Sequence, residues 1–454
     1  MKTSSRCQLD KSPLVRFLSR RTPPRGDGLP AVSLFSGGGI SDLGYEYSGF
    51  RFLVHAELDP HRARLCAENF PQSNVVVGDL QRSWQKVVRT YQTVCRERLA
   101  FLSVTPPCQG MSSSNPSRGK VGDPDGKGRN ERNLLLLAAV PVIEQLRPLC
   151  AVVENVPQIL LRTVQLPRHE RSQRLVEAFF ERLDGYTMFA GVVQMADYGV
   201  PQLRRRSVLV LLDDELPVVG QLLREGMLPW PKQTHAEKPT DGLAEWITLE
   251  RWFASRAYSE LDARNSEAAR DPTDVLHFVP HYDPTRYSWV SQIPPHSGRS
   301  AYRNDTCSRC GRKGVEAGRL RCPSCHTIMV NRPHVRDDTG RIRLIRGFKS
   351  SYRRMRSDRP APTVTTASSH LGSDYKIHPW ENRVLSPREC IELQTIPQSY
   401  SWEWAVSNGY YYLVREAVGE AIPPWFTYSH GRVLKSLLSG IVPGRRLAKK
   451  EPAG

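Results

Sequence analysis

The 454-residue chain has no apolar run long enough to cross a bilayer. A run such as Leu134 to Ile143 is broken by Pro141 and falls far short of the roughly 20 residues a spanning helix needs. It shows no apolar core of a secretory signal near its start. It also lacks the dense cysteine framework of a small secreted domain: ten cysteines are scattered at 7, 66, 95, 108, 150, 307, 310, 322, 325 and 390. Internal repeats are absent. These absences exclude a membrane protein, a disulfide-stapled module and a solenoid, and they leave a soluble protein of a reducing compartment, the cytoplasm, as the expectation.

Acidic charge is scarce in two places. Residues 299–356 carry 16 Lys/Arg against 4 Asp/Glu, and residues 1–25 carry 7 against 1. Together these stretches account for the whole net charge of +18. A basic surface spread for solubility would not be so local, so a polyanionic partner is expected at the first stretch. The N-terminal segment, with its Pro/Gly cluster at 23–30, is expected to be a disordered basic arm.

The region from 29 to 212 has the rhythm of alternating strands and helices. Ala31–Phe35, Phe52–Val54 (running to Glu57), Val75–Val77, Phe101–Val104, Ala151–Val153 and Ser207–Leu212 are apolar strand candidates. A helix is expected from about Asn133 to Gln145. This pattern predicts a doubly wound parallel sheet with its site along the carboxyl ends of the strands. From about 213 to 358 the rhythm dissolves, predicting a second, irregular unit. Ser112 to Arg132, rich in Ser, Gly and Asp, is expected to be a lid-like loop.

Two strand ends are chemically suggestive. Cys108 follows Pro106 and Pro107 directly after an apolar strand, and Glu154 closes the next one, 46 residues later. A lone cysteine is commonly a small buried hydrophobe, but two prolines before it and a polar loop after it point to an exposed turn. A thiolate there can add to carbon 6 of a pyrimidine, and a carboxyl group can relieve charge at ring nitrogen 3.

Gly37 and Gly39 form a tight turn after the first strand, where backbone can crowd a ligand and a helix start offers amide donors. Glu57, 18 residues beyond Gly39, is placed to accept ribose hydroxyls. Asp79 could accept from an adenine amino group or simply cap a helix. Gln202-x-Arg204-x-Arg206 could present arginines to a phosphate or a flipped base, or could be an exposed basic strand edge.

Taken together, these motifs resemble those of the DNA (cytosine-5)-methyltransferase family. The resemblance spans roughly 29–212 and 359–430. It is carried by Leu34-Phe-Ser-Gly-x-Gly39, Thr105-Pro-Pro-Cys-Gln109, Glu154-Asn-Val156, Gln202-x-Arg-x-Arg206, Arg359-Pro-Ala-Pro-Thr-Val-Thr365 with Arg383-Val-Leu-Ser-Pro-Arg-Glu389, and Gly419-Glu-Ala-Ile-Pro-Pro424, in the family's order. It implies a Rossmann-like class I methyltransferase sheet with a small target-recognition lobe and S-adenosyl-L-methionine as methyl donor. Phe35, Gly37, Gly39, Glu57, Leu58, Asp79, Pro107 and Leu135 would line the cofactor pocket. Cys108 would be the nucleophile, Glu154 the contact to ring nitrogen 3, and Arg204 and Arg206 the holders of base and phosphate. The chain departs from the family's habits at Ser33, at Leu58 where an aromatic is frequent, and at Glu420 where asparagine is usual.

A further motif stands apart: Cys307-x2-Cys310-x11-Cys322-x2-Cys325, with Gly311 and Pro323 beside it. Four thiolates in two such pairs suit a closed tetrahedral zinc ribbon, structural and not catalytic; His326 is read as a bystander. It lies inside the basic stretch, with Tyr302, Phe348, Tyr352, Arg353 and Arg354 expected on a phosphate-following surface. The expected organisation is a basic arm at 1–28, a catalytic unit at 29–212 completed by 359–454 with a basic tail, and the recognition lobe at 213–358. The expected partner of this monomer is duplex DNA, with no membrane, and with restriction or phage-defence components as its companions. The alternatives are the same chemistry on transfer RNA and a non-catalytic DNA-binding regulator on the same fold.

Overall fold

The computed structural model describes residues 12–22, 27–107, 131–165, 172–240, 242–345, 350–373 and 375–440, with the side chains of 131–133 left aside. Cys108, nearly all of the loop 112–132, Phe348 and the basic tail lie outside the described residues.

A seven-stranded sheet organises the chain. Its strands are β1 (Leu29–Leu34), β2 (Phe50–Glu57), β3 (Asn74–Val77), β4 (Phe101–Val104), β5 (Cys150–Asn155), β6 (Tyr186–Gln194) and β7 (Arg205–Asp213). Their spatial order is β3-β2-β1-β4-β5-β7-β6. The first five run parallel. β7 runs antiparallel to both β5 and β6. The expectation of a wholly parallel sheet is therefore corrected at this edge. β6 reads as a strand only in its pairing: six of its nine residues are not buried, so it lacks the continuous apolar run that marks the inner strands. Only ten residues separate β6 from β7, too few for the helical crossover a parallel pair needs.

Alternate strand residues feed two cores. Ala31, Phe52, Phe101 and Val152 face one side, and Val32, Val54, Leu102 and Ala151 the other. The first side is covered by α2 (Ile40–Tyr47), α3 (Pro60–Asn69) and the returning C-terminal segment; the second by α4 (Leu80–Val94) and α5 (Val140–Leu146). The expected helix 133–145 divides into a 3-10 turn over 131–139 and the α-helical α5, whose start is set by Pro141, a residue tolerated only in a first turn. The N-terminal segment is not a free arm throughout: α1 (Pro13–Leu18) docks with Leu14, Phe17 and Leu18 buried, Phe17 packing edge-on to Tyr47 and Trp425.

The C-terminal segment supplies α6 (Pro387–Leu393), α7 (Tyr411–Glu420) and α8 (Pro424–Leu438). α8 lies close against α2 because glycines face the contact. A Cβ on Gly44 would sit 2.1 Å from Thr427 Oγ1, and one on Gly431 would sit 2.1 Å from Ser48 Oγ. Thr427 donates to Ser41 O (2.7 Å), and the Ile422 amide donates to Ser41 Oγ (2.9 Å). Arg383 grips Glu389 through two bonds of 2.8 Å, both side chains being fully buried. Glu389 also closes a capping box with Ser386 at the start of α6.

A separate cluster of Leu261, Val279, Trp289, Val290, Ile293, Tyr352, Ile377 and Val384 forms a second hydrophobic centre. A small one surrounds the cysteines, with Val315 and Met329. Among the described residues no helix is long and apolar enough to cross a membrane.

Candidate active site and metal centre

The site follows from strand register. Leu34 pairs with Ala56 on one side and Val104 on the other, and Val104 pairs with Val153. The next residue on each strand therefore falls in one row: Glu57, Phe35, Thr105, Glu154. That row caps the carboxyl edge of the sheet, where the parallel strands leave their last backbone groups for a ligand. Cys108 belongs three residues beyond Thr105.

At the β1 end the chain turns sharply. Phe35 sits at φ 59° and Gly37 at 55°, and the space a Cβ on Gly37 would enter is open. Gly37 donates its amide to Glu57 Oε2 (2.8 Å), and Asp59 donates to Oε1 (2.9 Å). The Glu57 carboxylate is thus held by backbone and aimed along the row. Thr105 Oγ1 donates to Phe35 O (3.0 Å), locking the β4 end to the glycine turn. Gly39 begins α2 in a left-handed conformation with no side chain capping the helix. A left-handed turn, an uncapped helix start and a fixed carboxylate fit a nucleoside-bearing cofactor. Leu58 is exposed, Phe35 and Leu135 are half-buried, and Pro107 is exposed at the rim. Asp79 caps α4, accepting from the Gln81 amide (3.0 Å).

At the other end of the row, Glu154 is buried and ion-paired with Arg206 Nε at 2.9 Å. Burial raises its pKa above the ordinary carboxylate value, against the opposing pull of Arg206 and Arg204. Such a carboxyl group is readier to hold a proton and give it to a base. Beside it Asn155 Nδ2 donates to Pro106 O (2.8 Å), while Asn155 Oδ1 accepts from the Val156 amide (2.8 Å).

The three side chains of Gln202-x-Arg204-x-Arg206 do not share one task. Gln202 is buried and donates to Gln394 Oε1 (2.7 Å), accepting in turn from the Val364 amide (3.0 Å). Arg204, with no exposed surface, donates to Val364 O (3.0 Å), Gly419 O (2.9 Å) and Glu420 O (3.1 Å). In this structure it clamps the C-terminal segment to the sheet instead of facing a base or phosphate. Only Arg206 joins Glu154. Glu420 turns to Arg62 Nη1 (3.0 Å) on α3, and burial raises its carboxyl pKa while Arg62 opposes. Arg62 and Asn155 were not singled out from sequence; Asn155 stood inside the Glu-Asn-Val motif, but nothing in Arg62 itself announced its pairing.

The four cysteines come together. Cys307, Cys310, Cys322 and Cys325 place all their sulfurs within 4.8 Å of one another, Cys307 and Cys325 at 3.6 Å and Cys310 and Cys322 at 3.7 Å. Zinc–sulfur bonds of about 2.3 Å at tetrahedral angles require sulfurs about 3.8 Å apart, so the donor set fits a divalent metal. His326 is not part of the cluster. The expected aromatic and arginine surface is only partly outward. Tyr352 is buried. Arg354 is wholly buried, donating to Ile293 O, Val290 O, His378 O, Glu381 O and Asn382 Oδ1. Its five donors are spent on four backbone carbonyls and one side-chain oxygen around the second hydrophobic centre, which a linear charge count does not reveal.

The family described as C-5 cytosine-specific DNA methylase matches residues 29–436. The chain is 26% identical over 406 residues to the Type II methyltransferase M1.HgaI of Avibacterium volantium, covering 87% of this chain and 94% of that protein. It is 27% identical over 398 residues to the Type II methyltransferase M1.HphI of Haemophilus parahaemolyticus, covering 87% and 84%. Among solved structures, a prophage-encoded candidate DNA modification methyltransferase of E. coli superposes with a TM-score of 0.52 at 17% identity, over 91% of this chain and 100% of that one. At that identity the likeness speaks to the fold.

Proposed function

Because the chain belongs to the C-5 cytosine-specific DNA methylase family, we propose that it methylates carbon 5 of a cytosine within a specific duplex DNA sequence, using S-adenosyl-L-methionine, a covalent adduct on Cys108 and a flipped target base. The observation that carries this reading is the row Glu57–Phe35–Thr105–Glu154, which lines a cofactor-type turn and a buried, Arg206-paired acid along one sheet edge.

S-adenosyl-L-methionine, when bound, supplies an electrophilic methyl group. Phe35, Gly37, Gly39, Glu57, Leu58, Asp79, Pro107 and Leu135 would hold it, Glu57 taking the ribose hydroxyls and Asp79 the adenine amino group. A stacked cytosine is unreachable, so the duplex must release it at a cost of about a few kcal/mol. The Cys108 thiolate adds to ring carbon 6 while Glu154 gives a proton or hydrogen bond to ring nitrogen 3, which makes carbon 5 nucleophilic. After carbon 5 is alkylated, its proton leaves to a base, the carbon–sulfur bond breaks, and the ring double bond returns with the thiolate. Arg206 orients Glu154, and Arg204 holds the C-terminal segment against that edge.

The four-cysteine cluster is read as a structural zinc site in a recognition lobe spanning 213–358, with no open position for catalysis. The resemblance to Type II methyltransferases supports a role marking DNA in a restriction or defence system in the cytoplasm. Incubation with labelled cofactor and either duplex DNA or transfer RNA, followed by bisulfite sequencing of the product, tests the reading. Labelled 5-methylcytosine at a defined DNA sequence is expected. Label only in RNA, or none in either polymer, would contradict it.

A further inference from the structure

Residues 334–344 form a two-stranded antiparallel ribbon in which His334 pairs with Leu344, Val335 with Arg343 and Arg336 with Ile342. Side chains alternate across such a ribbon. His334, Ile342 and Leu344 are half-buried on its inner face, where His334 meets the Trp289 ring edge-on at 5.8 Å. Val335, Arg341 and Arg343 share the outer face, and all are exposed.

The tip is stiff. Asp337 Oδ1 accepts from the Thr339 amide (3.1 Å), the Thr339 hydroxyl (2.6 Å) and the Arg341 amide (3.0 Å), and Gly340 takes φ 80°. The base is stiff as well. Arg332, wholly buried, donates to Asn304 O, Glu316 O and Val315 O, each at 2.7 Å, and so joins the ribbon to the four-cysteine knuckle.

Three neighbouring exposed arginines are neutralised locally, Arg299 by Asp305, Arg319 by Glu316 and Arg356 by Asp358, while Arg309, Arg312 and Arg321 are turned onto the knuckle's own Thr327 Oγ1, Ser324 Oγ and His326 O. Arg336 bends back onto Gly340 O (3.0 Å). Among the described residues, Arg341 and Arg343 form no salt bridge, and Arg343 has only the charge of the nearby Asp337 carboxylate, whose pKa it helps to lower, set against it. Their forked donors match the O6 and N7 acceptors of guanine, and a B-form major groove about 12 Å wide admits a two-stranded ribbon. The deep, narrow major groove of A-form RNA does not.

We propose that the 334–344 ribbon enters the DNA major groove and that Arg341 and Arg343 read guanines flanking the target cytosine, the cysteine knuckle holding the ribbon through Arg332. This rests on the duplex-DNA reading above. The test selects preferred sequences from a random duplex library by binding, and separately maps methylated sites, for the wild type, Arg341→Ala, Arg343→Ala, Arg343→Lys and the control Arg319→Ala. Each alanine variant should lose about 10- to 100-fold discrimination at one guanine position while keeping its melting temperature and cofactor binding. Arg343→Lys should keep the salt dependence of binding but lose the discrimination, because an ammonium has no fork. Arg319→Ala should resemble the wild type. Unchanged sequence preference in the alanine variants, or a wild type that binds duplexes without preference, would overturn the ribbon assignment. Selective binding that depends on these arginines without any methylation would uphold the ribbon and overturn the enzymatic reading.

Discussion

Asn155 Nδ2 lies 2.8 Å from the carbonyl oxygen of Pro106, tying the end of β5 to the backbone two residues before Cys108. The same side chain accepts from the Val156 amide, so a single buried amide fixes the strand that carries Glu154 and the segment that leads to Cys108, the proposed nucleophile, in one frame. Catalysis that needs both groups on one ring depends on that frame. Asn155→Ala should lower kcat at least tenfold, change cofactor affinity only slightly, and cost about 1–3 kcal/mol of stability for the unsatisfied partners. Single-turnover kinetics with parallel calorimetry checks this; an unchanged kcat would show that the bond is only structural.

Arg206 pulls the Glu154 carboxyl pKa down while burial, the larger effect, pushes it up. Arg206→Ala should therefore raise the pH at which Glu154 ionises. The carbonyl stretch of the protonated acid, followed by infrared difference spectroscopy against Glu154→Gln, should persist to higher pH in the variant. A midpoint that stays put or falls would mean that the pair does not govern this carboxyl.

Burial alone would raise the Glu389 pKa, yet Arg383 outweighs it and holds the group at about 2, below its ordinary 4.5. A depressed acid contributes stability above the unfolded pKa and loses it as pH falls. The contribution should thus be full above about pH 5 and fade from 4.5 down through about 2. Glu389→Gln should cost about 3 kcal/mol at neutral pH, with the gap from wild type narrowing in acid. Denaturant melts across pH check the sign, and a gap that widens in acid would contradict it.

Helix α8 touches α2 through Gly44, where an added Cβ would meet Thr427 Oγ1 at 2.1 Å and Pro424 O at 2.2 Å. Gly44→Ala should destabilise by about 1–3 kcal/mol through overpacking, lowering the melting temperature although alanine favours helices. A neutral or raised melting temperature would show that the helices separate easily.

With four sulfurs within 4.8 Å of one another, the cluster should bind one zinc per chain. Cys322→Ser, or removal of the metal with a chelator, should open the small lobe to proteolysis and weaken DNA binding more than cofactor binding. Equal losses of both would argue against separate lobes.

Much of the sheet and its site edge was legible because local signals and tertiary demands agree there. Apolar runs such as Phe101–Val104 and Ala151–Val153 mark inner strands, and Gly37 and Glu57 sit where a turn and a strand end require them. The spacing of the four cysteines likewise anticipated their convergence. What escaped was decided by distant partners. β6 alternates burial and shows no strand run, the direction of β7 follows from its link to β6, and α1 folds because Phe17 finds Tyr47 and Trp425. The inward turn of Arg204 and Arg354 follows from carbonyl acceptors that only the folded chain assembles. Conversely, Glu389 lay in plain view within a Ser386-Pro-Arg-Glu389 capping signature with Arg383 six residues before it, but their bidentate contact needed the fold.

The proposed methyl transfer turns on Cys108 forming a bond to the target base. A duplex carrying 5-fluorocytosine at the methylated position blocks release, because carbon 5 then has no proton to lose. Incubated with this duplex and S-adenosyl-L-methionine, the protein should form a stable adduct whose mass maps to the peptide containing Cys108, and Cys108→Ala should form none. An adduct on another residue, or continued methylation by Cys108→Ala, would contradict it.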